Sequence, residues 1–231
     1  MSRSTFHATR WTLVRQAGLR SDAGRTALSE LCGIYYEPVF RFIRTRSASE
    51  DAARDLTHGF FEELLARESV GTPDPEMGRF RSYLLGSVKH FLARHYAQTR
   101  AAKRGGDAEH VALDETIEYP SVPEPPVTFD RDWALAMIRR ALDSLENELA
   151  AAGKGQHFQV LQPWLDGGSP GPAREAAAAL GLTENAFNVS VHRLRQRFRL
   201  LVRAEVAATT TTQAEADEEF RHLVEVLTAG V

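Results

Sequence analysis

The chain has 231 residues and a formal net charge of −3, with 43% hydrophobic and 26% charged residues. This length suits one large domain or two small ones, each able to bury its own core. The single cysteine, Cys32, excludes an internal disulfide and a cysteine-based zinc site, and no apolar run approaches the roughly 18 residues of a membrane span. The N-terminal MSRSTFHATRWTLVRQAG lacks the apolar centre of a signal peptide, so a cytoplasmic protein is expected.

Apolar residues recur at helical spacing, and no alternating strand pattern competes with it. Arg25 to Thr45 carries Leu28, Leu31, Tyr35, Val39 and Phe42 at steps of three and four. Ser49 can cap a helix from Glu50, with Leu56, Phe60, Leu64 and Leu65 on its buried stripe. VGTPDPEMG, 70–78, must be a loop. A long helix from about Arg79 to Thr99 turns Phe80, Leu84, Val88, Phe91 and Leu92 inward. Residues 105–129, acidic and containing YPSVPEPP, read as an extended or poorly ordered linker. Helical spacing resumes at Trp133 with Leu135, Ile138, Leu142, Leu145 and Leu149, and breaks at Gly153 and Gly155. Phe158 to Leu165 forms a short helix, Ala173 to Leu180 another, and a long helix follows Thr183. A last amphipathic helix carries Phe220, Leu223, Val224 and Leu227. The expected fold class is all-α. Two helical domains, 1–104 and 130–206, are joined by the 105–129 linker and followed by an acidic extension, 207–231.

Charge is segregated along the chain. Arg79 to Arg104 holds seven bases and no acid, for +7, and Asp107 to Asp132 holds eight acids and one base, for −7. Arg174 to Arg203 carries +4, and Glu205 to Leu227 carries −5. Two basic blocks, each followed by an acidic one, point to two polyanion-binding faces on a near-neutral chain.

The stretch EAAAALGLTENAFNVSVHRLRQRFR, 175–199, has the parts of a helix-turn-helix. Alanines let two helix axes approach. Gly181 stands where the chain leaves the first helix, a place that favours a left-handed conformation. Leu182 plugs the space between the helices, Thr183 caps the second, and Glu184 suits the positive end of its dipole. Phe187, Val191, Leu194, Phe198 and Leu201 make the buried stripe. Asn185, Asn188 and His192 are then placed for base edges in a major groove, and Arg193, Arg195, Arg197 and Arg199 for phosphates.

In the first domain, GRFRSYLLGSVKHFLARHYAQTRAAKRGG interleaves aromatics with cations. Phe80 and Phe91 read as core. Tyr83 and Tyr96 are the aromatics open to stacking on unpaired bases while cations hold the backbone. The helix SEDAARDLTHGFFEELLA sets Phe60 and Phe61 side by side. Either one is offered to a partner, or both pack in a wide core.

Taken in order, these segments resemble a sigma-70-family RNA polymerase sigma factor of the extracytoplasmic-function type. DAARDLTHGFFEELL resembles the family's core-binding helix, with His58 where glutamine is usual. GRFRSYLLGSVKHFLARH resembles its promoter-melting helix, with Tyr83 in a tryptophan place and His90 where asparagine is frequent. AAAALGLTENAFNVSVHRLRQRFR resembles its −35-reading helix-turn-helix. The resemblance covers most of both domains and none of the linker. It implies that Asp51, Asp55, His58, Phe60 and Phe61 meet core RNA polymerase. It assigns the −10 element to Arg79, Arg81, Tyr83, Lys89, His90, Arg94, Arg100, Lys103 and Arg104. The −35 element falls to Thr183, Asn185, Asn188, His192, Arg193, Arg195, Arg197 and Arg199. The implied partners are core polymerase and promoter DNA, with room for an anti-sigma protein, no membrane and no cofactor.

No nucleophile pattern, phosphate loop or metal-ligand spacing argues for an enzyme; His90 and His95 stand five apart and do not share a helix face. The rival reading is a stand-alone helix-turn-helix regulator with an N-terminal ligand or dimerisation domain. The acidic C-terminal helix is expected to fold on the second domain, either competing with DNA for its arginines or only capping its core.

Overall fold

Among the described residues, four serine and threonine hydroxyls set where helices begin. The structure, a computed structural model, describes residues 21–66, 79–103, 126–167, 171–210 and 212–229. Ser21 Oγ accepts from the Gly24 amide at 3.1 Å and starts α1, Asp22–Arg44. Ser49 Oγ accepts from Ala52 at 3.1 Å and starts α2, Glu50–Ala66. α3 is Phe80–Lys103, α4 is Pro126–Ala151 and α5 is Gly155–Leu161, continued by a 3₁₀ turn over Gln162–Trp164. α6 is Ala173–Ala179 and α7 is Glu184–Ala207, capped by Thr183, whose Oγ1 accepts from Ala186 at 3.2 Å. α8, Gln213–Thr228, opens on a capping box in which Thr212 and Glu215 bond each other's amides. The described residues form helices and connections with no strand, as expected of an all-α chain. None of these helices is long and apolar enough to cross a membrane.

The chain divides into two compact units with boundaries other than those expected. Unit 1 comprises residues 1–134 and 208–231; unit 2 is 135–207. The first division falls inside α4, not in the proline-rich segment. Helix begins at Pro126, so the last four residues assigned to the linker are helical. Proline suits a helix's first position because its missing N–H has no partner to lose there. Phe129 is fully buried beside Phe42, ring centroids 5.9 Å apart and edge to face. The loop expected at 70–78 and the remainder of the linker lie outside the described residues.

In unit 1, α1, α2 and α3 bury Tyr35, Val39, Phe60, Leu64, Phe80, Leu84, Val88 and Leu92 around one core. Trp133 from α4 is fully buried. α8 belongs to this unit, which corrects its expected placement on the second domain. Its buried residues are Ala216, Glu219 and Leu223, and the Phe80 amide donates to the Thr209 carbonyl at 3.3 Å. Glu219 accepts from Arg81 Nε at 2.7 Å, both residues buried.

In unit 2, Leu145, Phe158, Leu161, Trp164, Ala177, Phe187, Val191 and Leu194 form the core, with Leu149, Leu182, Phe198 and Leu201 packed at its edge. The inward line of α4 runs through Met137, Ala141 and Leu145. It is turned slightly from the expected line through Leu135, Ile138 and Leu142, all three half-buried.

Candidate nucleic-acid interface

Two helices placed by a tight turn form the helix-turn-helix in unit 2. α6 ends with the Leu182 amide donating to the Ala177 carbonyl at 2.9 Å and the Gly181 amide to Ala178 at 3.0 Å. This double bond pattern closes a helix when the residue after the cap is left-handed, and Gly181 has φ +65°. Leu182 then packs against the cluster containing Phe187, stapling the entry to α7. Trp164 meets Phe187 edge to face at 5.2 Å and supports the helix from beneath.

Burial of Phe187, Val191 and Leu194 turns the opposite side of α7 outward. Asn185, Asn188, His192, Arg193 and Arg199 are exposed on that outer side. Thr183 is exposed too, but its hydroxyl is engaged as the cap. Gln196 and Val189, the latter not among the residues picked from the sequence, share this side. A helical projection from the buried stripe finds both.

Two other arginines of α7, Arg195 and Arg197, are occupied. Arg195 donates from Nε and Nη2 to the Trp164 carbonyl at 2.8 and 2.6 Å, tying α7 to the 3₁₀ turn. Arg197 donates from Nε to Glu148 Oε2 at 2.8 Å, with a second bond from Nη2 to Oε1. That hydrogen bond is the main reason the Glu148 carboxyl is held below the ordinary carboxylate range and Arg197 is raised. Of the four arginines expected on phosphates, Arg193 and Arg199 are the two that no such bond holds among the described residues.

The first basic stretch is more deeply committed within its own unit. Arg81 is 8% exposed, which removes it from the surface expected to meet DNA. Burial is the strongest single influence on its guanidinium and opposes the charge. The Glu219 hydrogen bond and charge, followed by Asp130, outweigh burial and raise its pKa. Arg79 pairs with Glu218 at 2.6 Å and with Glu219 at 3.4 Å. Glu218, held mainly by its hydrogen bond from Arg79, is lowered. Arg94 pairs with Glu63 of α2. Tyr96 donates to the Arg46 carbonyl at 2.6 Å, and Tyr83, half-buried, tilts over Phe80 at 6.1 Å, so neither ring stands clear of the fold. His90 and Arg100 are exposed and Lys89 is half-buried. Arg104 and the Lys103 side chain lie outside the described residues.

On α2, Asp51, Asp55 and His58 are exposed. Phe60 and Phe61 are 2% and 6% exposed, which corrects their assignment to a partner surface. The core is wide enough for both because two helices cover them. Phe60 meets Phe91 of α3 edge to face at 5.7 Å, and Phe61 stacks on Tyr36 of α1 at 6.1 Å. Tyr36 in turn shares a 3.1 Å hydrogen bond with His58 Nε2. Comparison with protein-family models, with curated proteins and with solved structures gives no match.

Proposed function

We propose that the protein is a sigma-type factor that brings core RNA polymerase to promoters. In this reading α7 enters the major groove of the −35 element. His90 and Arg100 of α3 contribute to the −10 element, and the Asp51, Asp55 and His58 edge of α2 meets polymerase. The observation that carries the reading is the outer side of α7. A 24-residue helix, set by a glycine turn and a threonine cap, exposes Asn185, Asn188, His192, Arg193 and Arg199 away from its buried stripe. Asparagine can pair bidentately with adenine, and arginines on the flanks neutralise phosphates. The acidic edge of α2 supports the polymerase contact more weakly, since both phenylalanines are withdrawn from it.

Transcription by purified core polymerase from a randomised promoter library tests the proposal. The full-length protein is expected to yield transcripts from a subset of templates and to co-elute with core. Asp51→Ala with Asp55→Ala should abolish co-elution while sequence-specific duplex binding persists. Duplex binding with no co-elution by the unaltered protein would overturn the polymerase role and leave a stand-alone helix-turn-helix regulator.

A further inference from the structure

Val189 is an aliphatic residue set in the middle of a polar footprint. It is 42% exposed, one of three exposed large hydrophobics among the described residues, with Leu200 and Val224. At 3.6 residues per turn, Val189 lies about 40° from Asn185, about 60° from His192 and about 20° from Gln196 around α7. Of its neighbours one turn away, Asn185, His192 and Arg193 are polar and exposed, and Ala186 is half-buried. A single exposed aliphatic residue is commonplace on a protein surface. This one occupies the centre of the side that the fold turns outward. A β-branched residue there has a lower helix propensity than alanine, lysine or glutamate, and at 42% exposed it is only partly covered in return.

We infer that Val189 contacts the C5 methyl group of a thymine, making it a determinant of sequence preference; the inference rests on α7 reading duplex DNA. Among groups that base pairs present in the major groove, the thymine methyl is the apolar one. The reach of the side chain agrees. The valine methyls and the asparagine carboxamide carbon stand the same number of bonds from the backbone. A docking depth that brings Asn185 to a base edge therefore brings Val189, about 40° away around the helix, within van der Waals contact of its neighbour. A long side chain at this position would hold the helix away from the groove floor.

The test uses the full-length protein and synthetic duplexes. The duplex enriched from a random library is remade with each thymine replaced in turn by uracil, which removes only the methyl group. One replacement is expected to weaken binding by about four-fold, the factor associated with burying one methyl-sized group. The Val189→Ala protein should bind the thymine and uracil forms of that duplex equally. If every uracil replacement is silent for the unaltered protein, or if Val189→Ala keeps the sensitivity, the inference is overturned and duplex reading by α7 stands. If no duplex is enriched, both are overturned.

Discussion

Glu148 lies outside α7 but holds one of its arginines. Its bonds to Arg197 lower the Glu148 carboxyl in the folded chain, so the pair contributes stability above the carboxyl's unfolded pKa. That contribution fades as pH falls through the lower, folded value. Both side chains are about half exposed, at 49% and 41%, which limits the stabilisation to about 0.2–1 kcal/mol. Glu148→Gln should therefore reduce stability slightly at neutral pH and leave it unchanged in strong acid, as urea unfolding followed by circular dichroism would register. The same change frees Arg197, so duplex affinity at low salt should rise. Unchanged affinity would mean that Arg197 does not reach phosphate even when released. Substitutions on the outer side separate two kinds of contact. Asn188→Ala should relax preference at one base position, costing about 1–3 kcal/mol against the favoured base. Arg199→Ala should weaken all sequences alike and reduce the salt slope by about one unit. Fluorescence anisotropy on a panel of duplexes distinguishes them.

α8 shows which features of an element are legible in sequence. Its existence follows from helical spacing, but its contact face does not. Phe220, Leu223, Val224 and Leu227 read as the stripe, whereas the fold buries Ala216, Glu219 and Leu223 and leaves Val224 44% exposed. Glu219 counts as surface until its partner is known, and Arg81 lies 138 residues away in the chain. Phe60 and Phe61 were ambiguous for the same reason, because the helices that cover them are distant in sequence. Caps and turns were legible because they are local: Ser49, Thr183 and Gly181 each act within five residues. Removing one partner of a buried ion pair typically costs about 3–5 kcal/mol. Asp130 stays beside Arg81, so Glu219→Ala should fall at the low end of that range. Arg81→Met with Glu219→Leu should recover much of the loss, because an apolar pair of similar volume needs no compensating charge. Urea unfolding of the single and double variants measures both outcomes. A double variant as unstable as Glu219→Ala would show that packing of α8, rather than charge pairing, holds the helix.

At the scale of the whole chain, the alternating charge blocks resolve into two kinds of basic surface. The block at 79–104 is partly neutralised within its own unit, where Arg79 and Arg81 meet Glu218, Glu219 and Asp130. In α7 the exposed Arg193 and Arg199 stay on the outer side. The units also differ in how the chain builds them. Unit 2 is one continuous segment, 135–207, whose buried residues include a cluster of eight. Unit 1 is discontinuous and draws Thr209, Thr210, Ala216, Glu219 and Leu223 from the far end of the chain. A fragment of residues 135–207 should therefore fold and keep sequence-specific duplex binding. A fragment of residues 1–134 should not fold stably, because it leaves Arg81 without Glu219, the Phe80 amide without the Thr209 carbonyl, and an apolar face uncovered. Adding a peptide of residues 208–231 should restore its helical signal. The restoration should weaken with salt only modestly, since the Arg81–Glu219 pair is buried and poorly screened. Circular dichroism of the two fragments, with and without the peptide, decides the matter. A 1–134 fragment as stable without the peptide as with it would mean that α8 rests on unit 1 without completing it.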